Sequence, residues 1–223
     1  MPRKNNPKET IERVLNASIK LFKEKGFDKT SMQDIVVASD MSKGAIFYHI
    51  KSKEEVFEAA MAKQFSIAKQ QFKDFLEQLD GETAREKMIK LISVNFTDEG
   101  ISTAIFDLLN VIANSTHLIL SHMRNDIKEI APIVAELIKE GIADGSIVTS
   151  FPDELSEAFI LLYNHWCDMY VFRCDLPTLR RRLEFMKYMM ATLGCDIISN
   201  DIIKHCITLY EKLEKKYNEV QNG

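Results

Sequence analysis

The sequence predicts an all-α protein: an N-terminal three-helix head joined by a long helix to a larger helical body. Three observations carry this. Apolar residues recur at spacings of three and four along almost the whole chain, and no run alternates with period two long enough to make a strand. Helix-start and helix-stop residues also fall between the periodic segments.

The elements follow in order. Asn6-Pro7 is an N-cap followed by Pro at the first helical position. Ile11, Val14, Leu15, Ser18, Leu21 and Phe22 then keep one face apolar or small until Lys25-Gly26 ends the helix. Thr30-Ser31-Met32-Gln33 has capping-box form and opens a short helix through Ala38. Ser42 starts another, from Lys43 to about Ile50. Ser52-Lys53-Glu54-Glu55 is a second capping box. It launches a long helix with Phe57, Met61, Phe65, Ala68, Phe72, Phe75 and Leu79 on one stripe. Further helices are expected over 84–96, 102–113, 116–142, 154–173, 178–193 and 200–218, with Pro132 kinking or splitting the third of these. Gly141 and Gly145 bracket a turn, and Phe151-Pro152 and Leu176-Pro177 break the chain again.

Composition narrows the class. With 223 residues, 46% hydrophobic and 28% charged, the chain is ordinary globular protein rather than a disordered or repetitive one. The longest stretch without Lys, Arg, Asp or Glu, Leu108 to Met123, contains Asn110, Asn114, Ser115, Thr116 and His117, so it does not read as a membrane span. The N-terminus is charged with no apolar run behind it, unlike a signal peptide, and a soluble, cytoplasmic protein is expected. Cys167, Cys174, Cys195 and Cys206 form no C-x-x-C pair and read as buried small hydrophobes, so neither metal nor cofactor is expected. There is no P-loop, no dinucleotide fingerprint, no H-E-x-x-H and no G-x-S-x-G, and no catalytic residue is assigned.

Charge is unevenly placed. The net charge is -4, yet residues 1–53 hold 11 Lys+Arg against 6 Asp+Glu. A basic head on an acidic body points to a polyanion at one end. Within that head, the two short helices flanking Ser39-Asp40-Met41 have the proportions of a helix-turn-helix. The second begins Ser42-Lys43-Gly44-Ala45: a cap, a cation and two small residues that let a backbone approach closely. Tyr48 and His49 follow one turn later, and Lys53 sits at the next helix N-terminus, where free N–H groups favour a phosphate.

On these residues the chain resembles the TetR family of bacterial transcription regulators. The match runs from Val14 to Phe57 and includes Ala17-Ser18-x-x-Leu21-Phe22-x-x-x-Gly26-Phe27, Thr30-Ser31-Met32-x-Asp34-Ile35 and the whole run Ser42 to Phe57. The resemblance implies a homodimer on a palindromic double-stranded operator, with a divergent body that binds an effector. It implies DNA contacts at Thr30, Ser31, Met32, Ser42, Lys43, Gly44, Ala45, Phe47, Tyr48, His49 and Lys53. Two positions depart from the family. Ser39-Asp40 stands where Ala-Gly is usual, and Phe47 stands where a Tyr hydroxyl commonly meets a phosphate. Asp tolerates the left-handed region, so the turn can survive.

The body, residues 54–223, holds 10 of the 13 Phe, the only Trp and 7 of 10 Met, a bulky and adaptable set that suits an apolar pocket. Phe106, Asn110, Asn114, His117, His165, Trp166 and Tyr170 are its candidate lining, the polar members being either ligand anchors or satisfied core groups. The stripes Leu155, Phe159, Leu162, Trp166, Tyr170 and Ile202, Cys206, Leu209, Leu213, Tyr217 suggest a four-helix dimer interface. The function expected is a dimeric repressor released by a small, largely apolar effector. The alternative is a DNA-binding adaptor whose body recruits a protein.

Overall fold

The computed structural model describes residues 7–79, 81–97, 115–169 and 171–222. All regular elements among them are helical. The expected helix over 102–113, with Phe106, Asn110 and Asn114, lies outside the described residues, as does Tyr170. Packing divides the chain into two compact units, residues 1–78 and 79–223.

The first unit comprises α1 (Pro7–Lys25), α2 (Met32–Ser39), α3 (Lys43–His49) and α4 (Lys53–Glu77). Its centre is a ring cluster in which Phe22, Phe27 and Phe57 stand 5.2 to 5.9 Å apart between centroids. Val14, Ile35, Ile46, Ile50 and Val56 are buried around it. Such rings supply large buried area and favour tilted contacts, so the short helices α2 and α3 gain from this core what they lack in length. α2 starts one residue later than a Thr30 cap would place it: Ser31, not Thr30, is the N-cap, with Asp34 completing the capping box. Thr30 is instead buried, its hydroxyl donating to the Gly26 carbonyl at 2.8 Å.

The second unit comprises α5 (Ala84–Thr97), α6 (Thr116–Asn125), α7 (Ala131–Asp144), α8 (Pro152–Leu161), α9 (Leu176–Thr192) and α10 (Asn200–Asn222). α6 runs into α7 through one π-helical turn, Asp126–Ile130, closed by the Ala131 N–H donating to the Asp126 carbonyl. Pro132 explains the placement. It has no N–H to give and its ring crowds the carbonyl four residues back, so the preceding turn widens. The helical segment therefore continues through this point with one widened turn and is not broken.

The expected helix over 154–173 ends earlier. α8 passes into a second π turn, Leu162–Trp166, closed by Cys167 N–H to the Leu162 carbonyl at 2.8 Å. There the buried Asp168 takes over, accepting from Val171 N–H at 2.8 Å and from the Tyr210 hydroxyl at 2.7 Å. Arg182 donates to the Trp166 carbonyl at 2.6 Å and to the Phe172 carbonyl at 2.9 Å, which satisfies the open helix end.

Cys167, Cys195 and Cys206 are buried free thiols. Burial pushes the first two up to about 12 and the third higher still, so they stay protonated and pack as small hydrophobes. Leu155, Phe159, Ile202 and Cys206, from the two apolar stripes, are spent inside this unit.

Gly194 locks one edge of the body. Its φ is 78°, its carbonyl accepts from Val148 N–H at 2.9 Å, and a Cβ there would lie 1.7 Å from the Val148 carbonyl oxygen. Gly194→Ala should therefore destabilise the body by about 3 kcal/mol or more, read as a lower urea midpoint. An unchanged midpoint would show that this edge moves freely.

Candidate nucleic-acid interface

The chain turns from α2 to α3 at Asp40, whose φ of 53° and ψ of 39° make it the one non-glycine residue with positive φ among those described. Asp is one of the few residues that enter this region at low cost. Arg13 of α1 secures the turn, donating to the Ser39 carbonyl at 3.2 Å and lying 3.4 Å from the Asp40 carboxylate. This fixes where α3 emerges.

α3 is capped by Ser42, whose hydroxyl accepts from Ala45 N–H at 3.2 Å. Ile46 and Ile50 turn inward, so Lys43, Gly44 and Tyr48 fall on the exposed side. Tyr48 is 82% exposed, a large ring held in solvent. Lys43 lies over the Phe47 ring at 5.5 Å, which makes the half-buried Phe47 a platform for the cation. A Cβ built on Gly44 meets nothing within 4 Å, and its φ is ordinary, so neither packing nor backbone geometry calls for glycine. Glycine inside a helix costs about 1 kcal/mol relative to alanine. For His49 only the backbone is described.

The remaining head residues are more committed to the fold. Ser31 is exposed, but its hydroxyl both caps α2 and donates to Asp34 at 2.7 Å. Those bonds from Ser31, with Lys25 at 3.0 Å, hold the Asp34 carboxyl down to about 2. Met32 and Ala45 are half-buried. Lys53 is half-buried too. Its ammonium donates to the Phe27 carbonyl at 2.8 Å and lies 4.3 Å from the Phe27 ring centroid, stapling the start of α4 to the turn after α1.

The body brings together a group that the sequence reading caught only in part. His165 and Asp126 are each 1% exposed, and His165 Nε2 lies 2.9 Å from Asp126 Oδ2. His122 Nδ1 lies 3.3 Å from Asp126 Oδ1, and the Asn164 amide donates to Oδ2 at 3.1 Å. Burial pushes the Asp126 carboxyl up, but bonds from His122 and His165 outweigh it and hold the group at about 2. Burial lowers His122, and contact with Asp126 more than offsets this, so it stays above its ordinary value. His117, by contrast, is exposed in the first turn of α6. Trp166 is half-buried, edge-on to Phe185 at 5.9 Å and beneath Arg182 at 5.2 Å.

His122 and Asp126 stand four apart in the sequence, a spacing that signals one helix face. His165 joins them only through the fold. Lys53→Ala should lower the stability of the head by about 1 to 2 kcal/mol, measured by urea unfolding, since it removes a buried-end hydrogen bond and a cation–π contact.

Residues 14–60 match the family model of bacterial regulatory proteins, tetR family. Over 90 residues the chain is 36% identical to an uncharacterized HTH-type transcriptional regulator, YerO, of Bacillus subtilis (strain 168), a match covering 40% of this chain and 31% of YerO. Over 88 residues it is 32% identical to the HTH-type transcriptional regulator QacR of Staphylococcus aureus (strain Mu50 / ATCC 700699), covering 40% of this chain and 46% of QacR. The chain thus spans less than half the length of these curated relatives. The solved structure of Salmonella enterica GusR aligns with a TM-score of 0.58 at 21% identity, over 86% of this chain and 98% of that one, a likeness of fold. Residues 14–60 are thus matched in sequence by the helix-turn-helix head of the tetR family of bacterial regulatory proteins, and the all-helical fold is matched in structure.

Proposed function

We propose that the protein is a dimeric repressor that binds a palindromic operator and is released by a small, largely apolar effector. Residues 1–53 take the DNA, and residues 54–223 take the effector and form the dimer. The observation that carries the DNA reading is Gly44: an exposed helical position kept without a side chain that nothing in the chain itself requires. A duplex backbone packed against the first turn of α3 supplies the missing reason. Lys43 and Tyr48 flank that surface, and the basic balance of the head favours phosphates. For the effector, the support is the buried polar group around His165 within the mainly apolar core of the body. For the dimer it is the exposed aromatic surface of Phe172, Phe185 and Tyr188, which a second copy would cover. No described helix is long and apolar enough to cross a membrane, in keeping with work on DNA in the cytoplasm.

Gly44→Ala separates the two roles of its position. It should raise the stability of the head by up to about 1 kcal/mol while weakening operator binding at least tenfold. Fluorescence anisotropy with labelled operator, alongside urea unfolding, reads both. A variant that gains stability and keeps full affinity would remove the interface from α3.

Lys43→Ala should reduce affinity and lessen the steep fall of binding with salt, because a phosphate contact releases counterions. The dimer is tested by sedimentation: a monomer at micromolar concentration would rule out two half-sites per molecule. The effector must prefer the non-binding state, so operator DNA should weaken its affinity by the same factor by which it weakens DNA binding. Calorimetric titration of the effector with and without operator gives that factor. Equal affinities would leave a body that recruits something else.

A further inference from the structure

We infer that His122, Asp126 and His165 form a binding site for a divalent first-row transition metal ion. The inference goes beyond the regulator reading and does not depend on it.

The donor set comes first. Two imidazoles and one carboxylate are intermediate ligands, suited to zinc, cobalt or nickel more than to calcium or magnesium, which take oxygen. One donor atom from each residue can be chosen so that all three lie within 4.8 Å of one another. Metal–nitrogen and metal–oxygen bonds of about 2.1 Å put neighbouring ligand atoms about 3.0 Å apart in an octahedron and about 3.4 Å apart in a tetrahedron. The His165 Nε2 to Asp126 Oδ2 distance is 2.9 Å and the His122 Nδ1 to Asp126 Oδ1 distance is 3.3 Å. The two imidazoles approach different oxygens of the same carboxylate, so both contacts serve one ion with Asp126 binding through both oxygens, or one of them shortens onto the shared oxygen.

The support of these ligands comes second. Asp126 opens the π turn between α6 and α7, and His165 lies in the π turn after α8. π turns concentrate at functional sites because they re-aim side chains that a regular helix would send elsewhere. Here two of them, on separate helices, converge on one carboxylate. The Asn164 amide, 3.1 Å from Asp126 Oδ2, orients that carboxylate from outside the ligand set. The two imidazole rings stand edge-to-face at 5.3 Å and 87°, so both nitrogens can point at one centre without the rings stacking.

The protons balance. To bind, each ring must be neutral: any second proton is released to solvent, and the ring offers the lone pair of the nitrogen facing Asp126 with its single proton on the other nitrogen. For His165 that other nitrogen is Nδ1, which has no hydrogen-bond partner among the described residues, so no described bond must break when the proton moves there. Three protein ligands leave further positions on the ion for water or for an anionic ligand.

The probe is cobalt(II) chloride added to chelator-treated full-length protein, followed by visible ligand-field absorption. One cobalt per chain should bind saturably, be displaced by zinc, and raise the thermal midpoint, since a ligand of the native state stabilises it. Asp126→Asn and His122→Gln should each weaken cobalt binding at least tenfold, and Cys174→Ser should leave it unchanged. The wild-type complex should lack a near-ultraviolet thiolate-to-cobalt band, a readout that stands even if a variant fails to fold. No saturable binding, a thiolate band, or wild-type affinity in both folded variants overturns the site. DNA plays no part in these measurements, so failure here is distinct from failure of the regulator reading.

Discussion

The surface of the head is set by the reversal at Asp40. A short α3 of seven residues cannot hold its own direction, because helices of that length are marginal without tertiary support. Its direction comes from the left-handed turn before it, from the Arg13 clamp on that turn, and from Ile46 and Ile50 sunk into the aromatic core. Which side chains of α3 face outward follows from those three constraints. A glycine would adopt the same backbone with less strain. Asp adds a carboxylate within reach of Arg13, so the turn is tied to α1 and does not merely bend.

Much of the head was legible in the sequence because its signals are local. Ser42 and Ser52 cap the helices they precede, and Phe22, Ile35, Ile46 and Ile50 form the core. The cap of α2 was misplaced by one residue. Thr30 and Ser31 both have a hydroxyl, and only the fold shows that Thr30 is turned inward to Gly26. The tethering of Lys53 was hidden for the same reason. Its partner carbonyl on Phe27 is 26 residues away, and sequence spacing carries no trace of it.

The body was less legible, and the π turns explain why. A pattern search assumes a constant period, so a single widened turn shifts every later residue to a new face. Pro132 gives the first turn a local cause, whereas the turn at Leu162–Trp166 has none visible in the sequence. His165 was singled out as a candidate pocket residue, but Asp126 and His122 were not, because a single His-x-x-x-Asp pair on a helix is common. Burial of Asp126 changes its meaning. A carboxylate at 1% exposure must be paired, and a buried ionic group that is not needed for packing often serves specificity or binding.

In the proposed function the outward face of α3 reads double-stranded DNA as part of a two-fold symmetric molecule. The most direct measurement is selection of the full-length protein on a random-sequence duplex pool, followed by sequencing of the bound fraction. The account predicts enrichment of an inverted repeat whose half-sites are about one helical turn or more apart. A pool that emerges unenriched, or enriched in a single unrepeated half-site, would contradict it.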